Sequence, residues 1–380
     1  MALIALPCTG KPVLPPLTLA YLATLLEQRR HIVRIYDLAL EPEAALLHAL
    51  QPLRSFRPQV VVVSGETPEL ITAAVEALHE DKHPRVLPVQ MSRSGLDANH
   101  VCAGVLQWLD RQRASHSAPS ATPPADGTPI DLDQLPLPAR HLLSLESYNL
   151  RAVGGELQTT LLIGTSQGDG RFALRSPTGI IAELRSVSQE FGMRHYLIPD
   201  IPITSDRAWL VELLTRLCDA NLGIGWEAIA IPEELDEALV AHMARAGCEG
   251  VRFQLDATSV FESAAAREQL RKAVERLRRH EIFIRATVKL VPPYESIPHL
   301  VDVAASFGLD DVRFDVAQTE AASVGADESQ LREMARQIYD QGRDRQRFIS
   351  RFGPALGNLI WRLRGPRGSA AHLDDESMLA

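Results

Sequence analysis

Along three stretches of this chain, charged and polar side chains recur at every second position. Arg252, Gln254 and Asp256 alternate with Val251, Phe253 and Leu255; Arg285, Thr287 and Lys289 alternate with Ile284, Ala286, Val288 and Leu290; Arg313 and Asp315 alternate with Val312, Phe314 and Val316. A period of two marks a strand whose two faces differ. On the polar face Arg252, Arg285, Lys289 and Arg313 outnumber Asp256 and Asp315. Enclosing a surplus of one charge is costly, so such a face calls for an anion, water or a neighbouring loop. Two readings stay open: the face binds an anionic small molecule, or its charges pair with one another. Lys289 also has the type and placement of a Schiff-base lysine, although no acid or base partner is visible for it. Asp200, just past another apolar stretch, completes this candidate set.

The elements that must position these residues alternate between strand and helix. In the C-terminal part, strands are predicted over 160–163, 195–198, 224–231, 251–255, 283–290 and 311–316, with helices over 178–191, 206–220, 235–246, 264–280 and 297–307. Six strand-then-helix units argue for a partial barrel of parallel strands, with the apolar face of each strand outward beneath the helices and the polar face inward. In the N-terminal part, strands over 3–5, 32–36, 60–64 and 86–89 alternate with helices over 17–28, 43–53, 73–80 and 103–109. The run Val60-Val61-Val62-Val63 suits a parallel strand buried on both faces, which makes this an α/β, doubly wound domain. Ser64, Gly65, Glu66 and Thr67 follow that strand, where a ligand would enter the switch-point crevice. The expected division is a Rossmann-type domain over 1–110, a linker over 111–150, the barrel over 151–320, a helical extension over 321–364 and a disordered tail over 365–380. The linker is rich in Ser, Ala and Pro around residues 115–124, and the apolar residues of 131–143 are expected to dock its end on the second domain.

Composition narrows the function classes. A chain of 380 residues with a formal charge of −9 lacks the basic face that nucleic acid requires. Cys8, Cys102, Cys218 and Cys248 form no Cys-x-x-Cys pair, so neither a disulfide framework nor a metal site is expected, and reduced thiols fit a cytoplasmic protein. Pro7, Lys11, Pro12, Pro15 and Pro16 interrupt the apolar N-terminal segment before it reaches the ~20 residues of a membrane span.

One further stretch decides the functional expectation. From Leu162 an apolar strand runs through Gly164-Thr165-Ser166-Gln167-Gly168 into a helix that starts at Arg175-Ser176-Pro177. This resembles the cluster loop of the cobalamin-type radical S-adenosylmethionine (radical SAM) family, in which a Cys-x-x-x-Cys-x-x-Cys motif holds a four-iron cluster. Phrases in the same order support the resemblance over roughly residues 10–320: Pro15 to Ala23, His31 to Asp37, Asp131 to Arg140, Arg175 to Pro177, Leu239 to Gly247 and Val251 to Ser259. It implies a flavodoxin-like, cobalamin-binding-type domain ahead of a partial (β/α)6 barrel, with [4Fe-4S], S-adenosylmethionine and cobalamin as the family's cofactors.

The functional positions depart from the family. Counted from Gly168, the three cysteine positions hold Asp169, Ala173 and Ser176, leaving a remnant loop without thiolates. The family's acidic cofactor contact is shortened to Asp256, and a later glycine turn becomes Leu290-Val-Pro-Pro-Tyr-Glu295. Pro88 to Ser92 stands where the family places a Gly-Gly pair, and no Asp-x-His-x-x-Gly phrase offers an axial ligand. The expectation is therefore a pseudoenzyme without catalytic residues, metal or cofactor, acting as a partner or regulator of an active radical SAM relative or as a small-molecule binder. Two alternatives accompany it. One is an active cobalamin-dependent methyltransferase or cyclase with unusual cluster ligation, and the other is a repurposed barrel that binds an anionic ligand.

Overall fold

A computed structural model describes residues 1–8, 13–40, 51–79, 85–91, 97–114, 131–166, 171–199, 201–256, 263–290, 301, 304–316, 333, 335–338 and 340. The chain forms two compact units, Met1–Ile229 with Ala241–Glu249, and Ala230–Val240 with Gly250–Ala380. In the first, strands β1 (Ala2–Ala5), β2 (Arg34–Asp37), β3 (Val60–Gly65) and β4 (Arg85–Gln90) make a parallel sheet in the order β2-β1-β3-β4. This is the flavodoxin-like arrangement, with both faces covered. Leu3, Ala5 and Val62 point into one core with helices α1 (Leu17–Gln28) and α4 (Ala98–Ala114). Ala2, Ile4, Val61 and Val63 point into the other, with Leu53 of α2 (Gln51–Phe56) and Ile71, Ala74 and Leu78 of α3 (Pro68–His79). The alternation along β1 and β3 is the two-sided burial that a parallel sheet requires.

Helix α1 buries Leu17, Thr18, Leu19, Ala20, Tyr21, Leu22, Ala23 and Leu26, nearly its whole circumference. A helix apolar all round must be covered on every side. The side away from the sheet is covered by the segment after the linker: Leu132, Leu135 and Ala139 join the same core. Backbone Ala139 donates to the Ala20 carbonyl at 3.0 Å, and Thr24 Oγ1 donates to Leu137 O at 2.8 Å. The segment therefore meets both parts of the chain: Leu132, Leu135 and Ala139 join the first sheet's core, while Asp133 and Arg140 bond Ser176, Thr159 and Thr160 of the barrel, where its docking was expected. Tyr148 Oη reaches Asp37 at 2.8 Å and fixes the segment's end.

Six parallel strands form a curled half-barrel in the order β12-β11-β10-β9-β8-β5: β5 (Gln158–Thr160), β8 (His195–Ile198), β9 (Gly225–Ile229), β10 (Cys248–Asp256), β11 (Phe283–Leu290) and β12 (Asp311–Val316). Helices α5 (Pro177–Phe191), α6 (Arg207–Ala220), α7 (Glu237–Arg245) and α8 (Ala264–Arg279) alternate with them. Ser176, Asp206 and Ser263 cap α5, α6 and α8 through side-chain oxygens, as short polar residues do at helix starts. Helix 297–307 is described only at 301 and 304–306, and most of the proposed 321–364 extension and all of the 365–380 tail lie outside the described residues.

The strand predicted over 160–163 differs. β5 ends at Thr160, and the chain resumes as β6 (Gly164–Ser166), which pairs antiparallel with β7 (Phe172–Leu174). The polypeptide therefore turns back on itself before entering α5.

Candidate functional site

In the loop after β5, Gly164 faces Leu174, Thr165 faces Ala173 and Ser166 faces Phe172. A Cβ on Gly164 would lie 2.5 Å from the Ala173 carbonyl oxygen, so the two strands meet closely where glycine stands. Ala173, one of the three remnant positions, is thus a hairpin residue. Ser176, another, starts α5. Its Oγ accepts from Gly179 N at 3.1 Å and donates to Asp133 Oδ1 at 3.0 Å, and its N–H is held by both oxygens of Asp133 at 2.9 and 3.1 Å. Gly168 and Asp169 lie outside the described residues.

The loop is anchored by a buried charge network that the sequence did not reveal. Glu183 is fully buried on α5, with Arg175 Nη1 at 2.6 Å from Oε2 and Arg140 Nη2 at 2.8 Å from Oε1. Tyr21 donates to Glu183 Oε2 at 3.2 Å, and Arg175 also donates to Tyr21 Oη and to Leu162 O at 2.9 Å. Arg140 reaches Thr159 Oγ1 at 3.0 Å and Thr160 O at 2.7 Å. Burial alone would raise the Glu183 carboxyl, but Arg175 and Arg140 hold it below the ordinary range. Burial, reinforced by Glu183, pushes the Tyr21 phenol up, so it stays a neutral donor. Helix α1, the docking segment and α5 are thereby fastened together beneath the hairpin. Nothing in the sequence links the four partners, and only a charged residue inside a helical apolar face, such as Glu183 between Ile180, Ile181, Leu184 and Val187, could have signalled the network.

This donor set does not fit a thiolate-held cluster. One remnant position is an alanine locked in a hairpin, the second is a hydroxyl committed to a helix cap, and iron–sulfur centres require soft thiolates. Among the described residues, no group of three or more His, Cys, Asp or Glu is placed to hold a metal ion. All four cysteines are free thiols, and burial, reinforced by Asp97, pushes the Cys102 thiol up into an inert state.

On the three strands with alternating charge, burial alternates as well. Val251, Phe253, Leu255, Ile284, Ala286, Val288, Leu290, Val312 and Phe314 are buried, and α8 packs against β11 with Leu270, Ala273, Val274 and Leu277 buried. The opposite face carries the candidates, with Gln254, Thr287, Lys289, Arg313 and Asp315 exposed and Arg252, Asp256 and Arg285 half-buried. Strand register arranges them in three rows: Arg252, Arg285 and Asp311; Gln254, Thr287 and Arg313; Asp256, Lys289 and Asp315. Asp311, absent from the sequence-based set, lies 3.8 Å from Arg285. Asp200 and the turn 291–295 lie outside the described residues. Glu227 on β9, also absent from that set, is fully buried with Gln158 Nε2 at 3.5 Å. It is the one charged side chain in that otherwise uncharged strand, which was the available signal.

In the first domain, Ser64 and Gly65 end β3. Ser64 Oγ donates to Ile4 O at 2.7 Å, a Cβ on Gly65 would lie 3.2 Å from both Ile71 and Leu6, Glu66 is exposed, and the Thr67 hydroxyl is buried. The crevice, lined by Leu6, Cys8, Thr18, Gly65, Glu66 and Met91, encloses about 10 Å³, enough for one water. Among the described residues, no helix is long and apolar enough to cross a membrane.

No protein-family model and no curated protein matches the sequence. Solved structures do. The radical S-adenosylmethionine methyltransferase TsrM from Kitasatospora setae, with cobalamin and a [4Fe-4S] cluster bound, aligns over 83% of this chain and 74% of its own at 13% identity, with a TM-score of 0.56. The same enzyme with tryptophan and a SAM analogue aligns over 82% and 72% at 15% identity and TM-score 0.56. The cobalamin-dependent S-adenosylmethionine radical enzyme OxsB aligns over 80% of this chain and 51% of its own at 11% identity, with a TM-score of 0.58. At these identities the likeness is one of fold: this chain has the architecture of cobalamin-binding radical SAM enzymes.

Proposed function

We propose that this chain is a non-catalytic relative of the cobalamin-dependent radical SAM enzymes, retained as a binding protein: a partner or regulator of an active relative, or a small-molecule binder. One observation carries the reading. Ala173 is paired to Thr165 inside a hairpin while Ser176 caps α5 and holds Asp133, so two of the three positions that would bear cluster thiolates serve the fold instead. The closely packed crevice beyond β3 supports the same reading for the corrin. Without a cluster, an electron has no route to S-adenosylmethionine through an open iron site.

The test is anaerobic reconstitution of the full chain with iron and sulfide, followed by assay of S-adenosylmethionine cleavage. The reading expects neither a stoichiometric cluster nor 5′-deoxyadenosine. Turnover to that product, or methyl transfer dependent on cobalamin, would overturn it in favour of an active enzyme with unusual ligands.

A further inference from the structure

We infer that residues 132–148 form a latch that holds the β6–β7 hairpin closed, so that lifting this segment from α1 and opening the hairpin are one event. The device acts whether or not a cluster is ever bound and is independent of the preceding reading. It gives a regulator a place to act: a partner that raises the segment opens the hairpin, and one that rests on the closed hairpin holds the segment down.

The segment grips the hairpin at both ends. Where the chain leaves β5, Arg140 Nη2 donates to the Thr160 carbonyl at 2.7 Å, and Arg175, tied to Arg140 through Glu183, donates to the Leu162 carbonyl at 2.9 Å. Where the chain enters α5, Asp133 accepts from the Ser176 N–H at 2.9 and 3.1 Å and from its hydroxyl at 3.0 Å. Between these holds the Arg175 N–H donates to Ile163 O at 2.8 Å and closes the base of the hairpin. Apolar packing repeats the link: Leu162 belongs to the core that contains Leu132, Leu135 and Ala139, and Ala173 packs against it. The other side of the segment is fastened to the first domain, with Ala139 N–H on Ala20 O at 3.0 Å, Thr24 Oγ1 on Leu137 O at 2.8 Å and Tyr148 Oη on Asp37 at 2.8 Å. Tyr21 brings α1 into the same network, accepting from Arg175 Nη1 and donating to Glu183, both at 3.2 Å. Arg140 and Arg175 surround one fully buried carboxylate, so withdrawing either leaves a buried charge without its partner. A packed cluster of this kind has discrete arrangements and not a continuum, which makes the closed form all-or-none. The bonds of Asp133 and Thr24 lie at the exposed rim, where water replaces them on release.

Residue-resolved hydrogen exchange of the full chain tests the latch, because each end can be loosened and the other end observed. Tyr148→Phe removes the bond to Asp37 at the far end of the segment and is expected to speed exchange of the Arg175 amide about tenfold or more, the effect of one lost bond to a charged group. Gly164→Ala strains the hairpin beside Ala173, Leu174 and Ile201, away from the segment, and is expected to speed exchange of the Ala139 amide to a similar extent, since coupling is reciprocal. Leu277→Ala, on the buried face of α8, lowers overall stability from elsewhere and is expected to leave both amides unchanged. Acceleration confined to the substituted end, or an equal acceleration in Leu277→Ala, overturns the inference. If Gly164→Ala fails to fold, the Tyr148→Phe measurement decides alone. Iron content of the same preparation bears only on the preceding reading, so the two fail separately.

Discussion

Gly164 faces Leu174 at the base of the β6–β7 hairpin, and a side chain on Gly164 would run into the Ala173 carbonyl at 2.5 Å. The contact brings the two strands on either side of residues 167–170 close together. Gly164→Ala is expected to force the strands apart at a cost of about 1–3 kcal/mol, the range for overpacked sites. Denaturant unfolding checks it, and an unchanged midpoint would mean that the hairpin is not closely joined.

Ser176 joins two elements through one hydroxyl, capping α5 and bonding Asp133. Ser176→Ala is expected to lower stability by about 1 kcal/mol, as cap removals do, while Ser176→Thr retains most of it. The same denaturant series measures both.

Glu183 supports the network from the centre. Glu183→Gln leaves Arg140 and Arg175 buried without their carboxylate and is expected to cost about 3–5 kcal/mol. Because the folded carboxyl titrates below its unfolded value of about 4.3, its contribution is complete above that value and is lost as pH falls through the folded one. Stability followed from pH 7 to pH 3 should therefore fall more steeply in the wild type than in Glu183→Gln. Parallel curves would contradict the assignment.

The fold was legible because its signals are local. Val60 to Val63 reads as a strand buried on both faces, and the alternation in 251–256 and 283–290 fixes which side chains share a face. The hairpin was not legible: Phe172-Ala-Leu174 is too short to carry a period, and its pairing with Gly164 to Ser166 depends on distance in space. The docking of 131–139 onto α1 was missed for a similar reason, since apolar residues show that a segment is buried and not against what. The Tyr21, Arg140, Arg175 and Glu183 network joins residues up to 162 positions apart, beyond any spacing rule. Within the candidate face, the sequence supplied eight of the nine grid members, and register added Asp311 and the row order.

The crevice beyond β3 yields a separate expectation. With room for about one water between Leu6, Gly65 and Met91, hydroxocobalamin should leave the melting temperature of the full chain unchanged, because only a ligand of the native state raises it. A rise that saturates with concentration would show that the corrin still finds a place.

The most direct test of the central claim is iron and acid-labile sulfide per chain after strictly anaerobic reconstitution and gel filtration. With Ala173 in a hairpin and Ser176 in a helix cap, the account predicts no stoichiometric cluster. Close to four irons and four sulfides per chain, with the absorbance of a [4Fe-4S] centre, would contradict it.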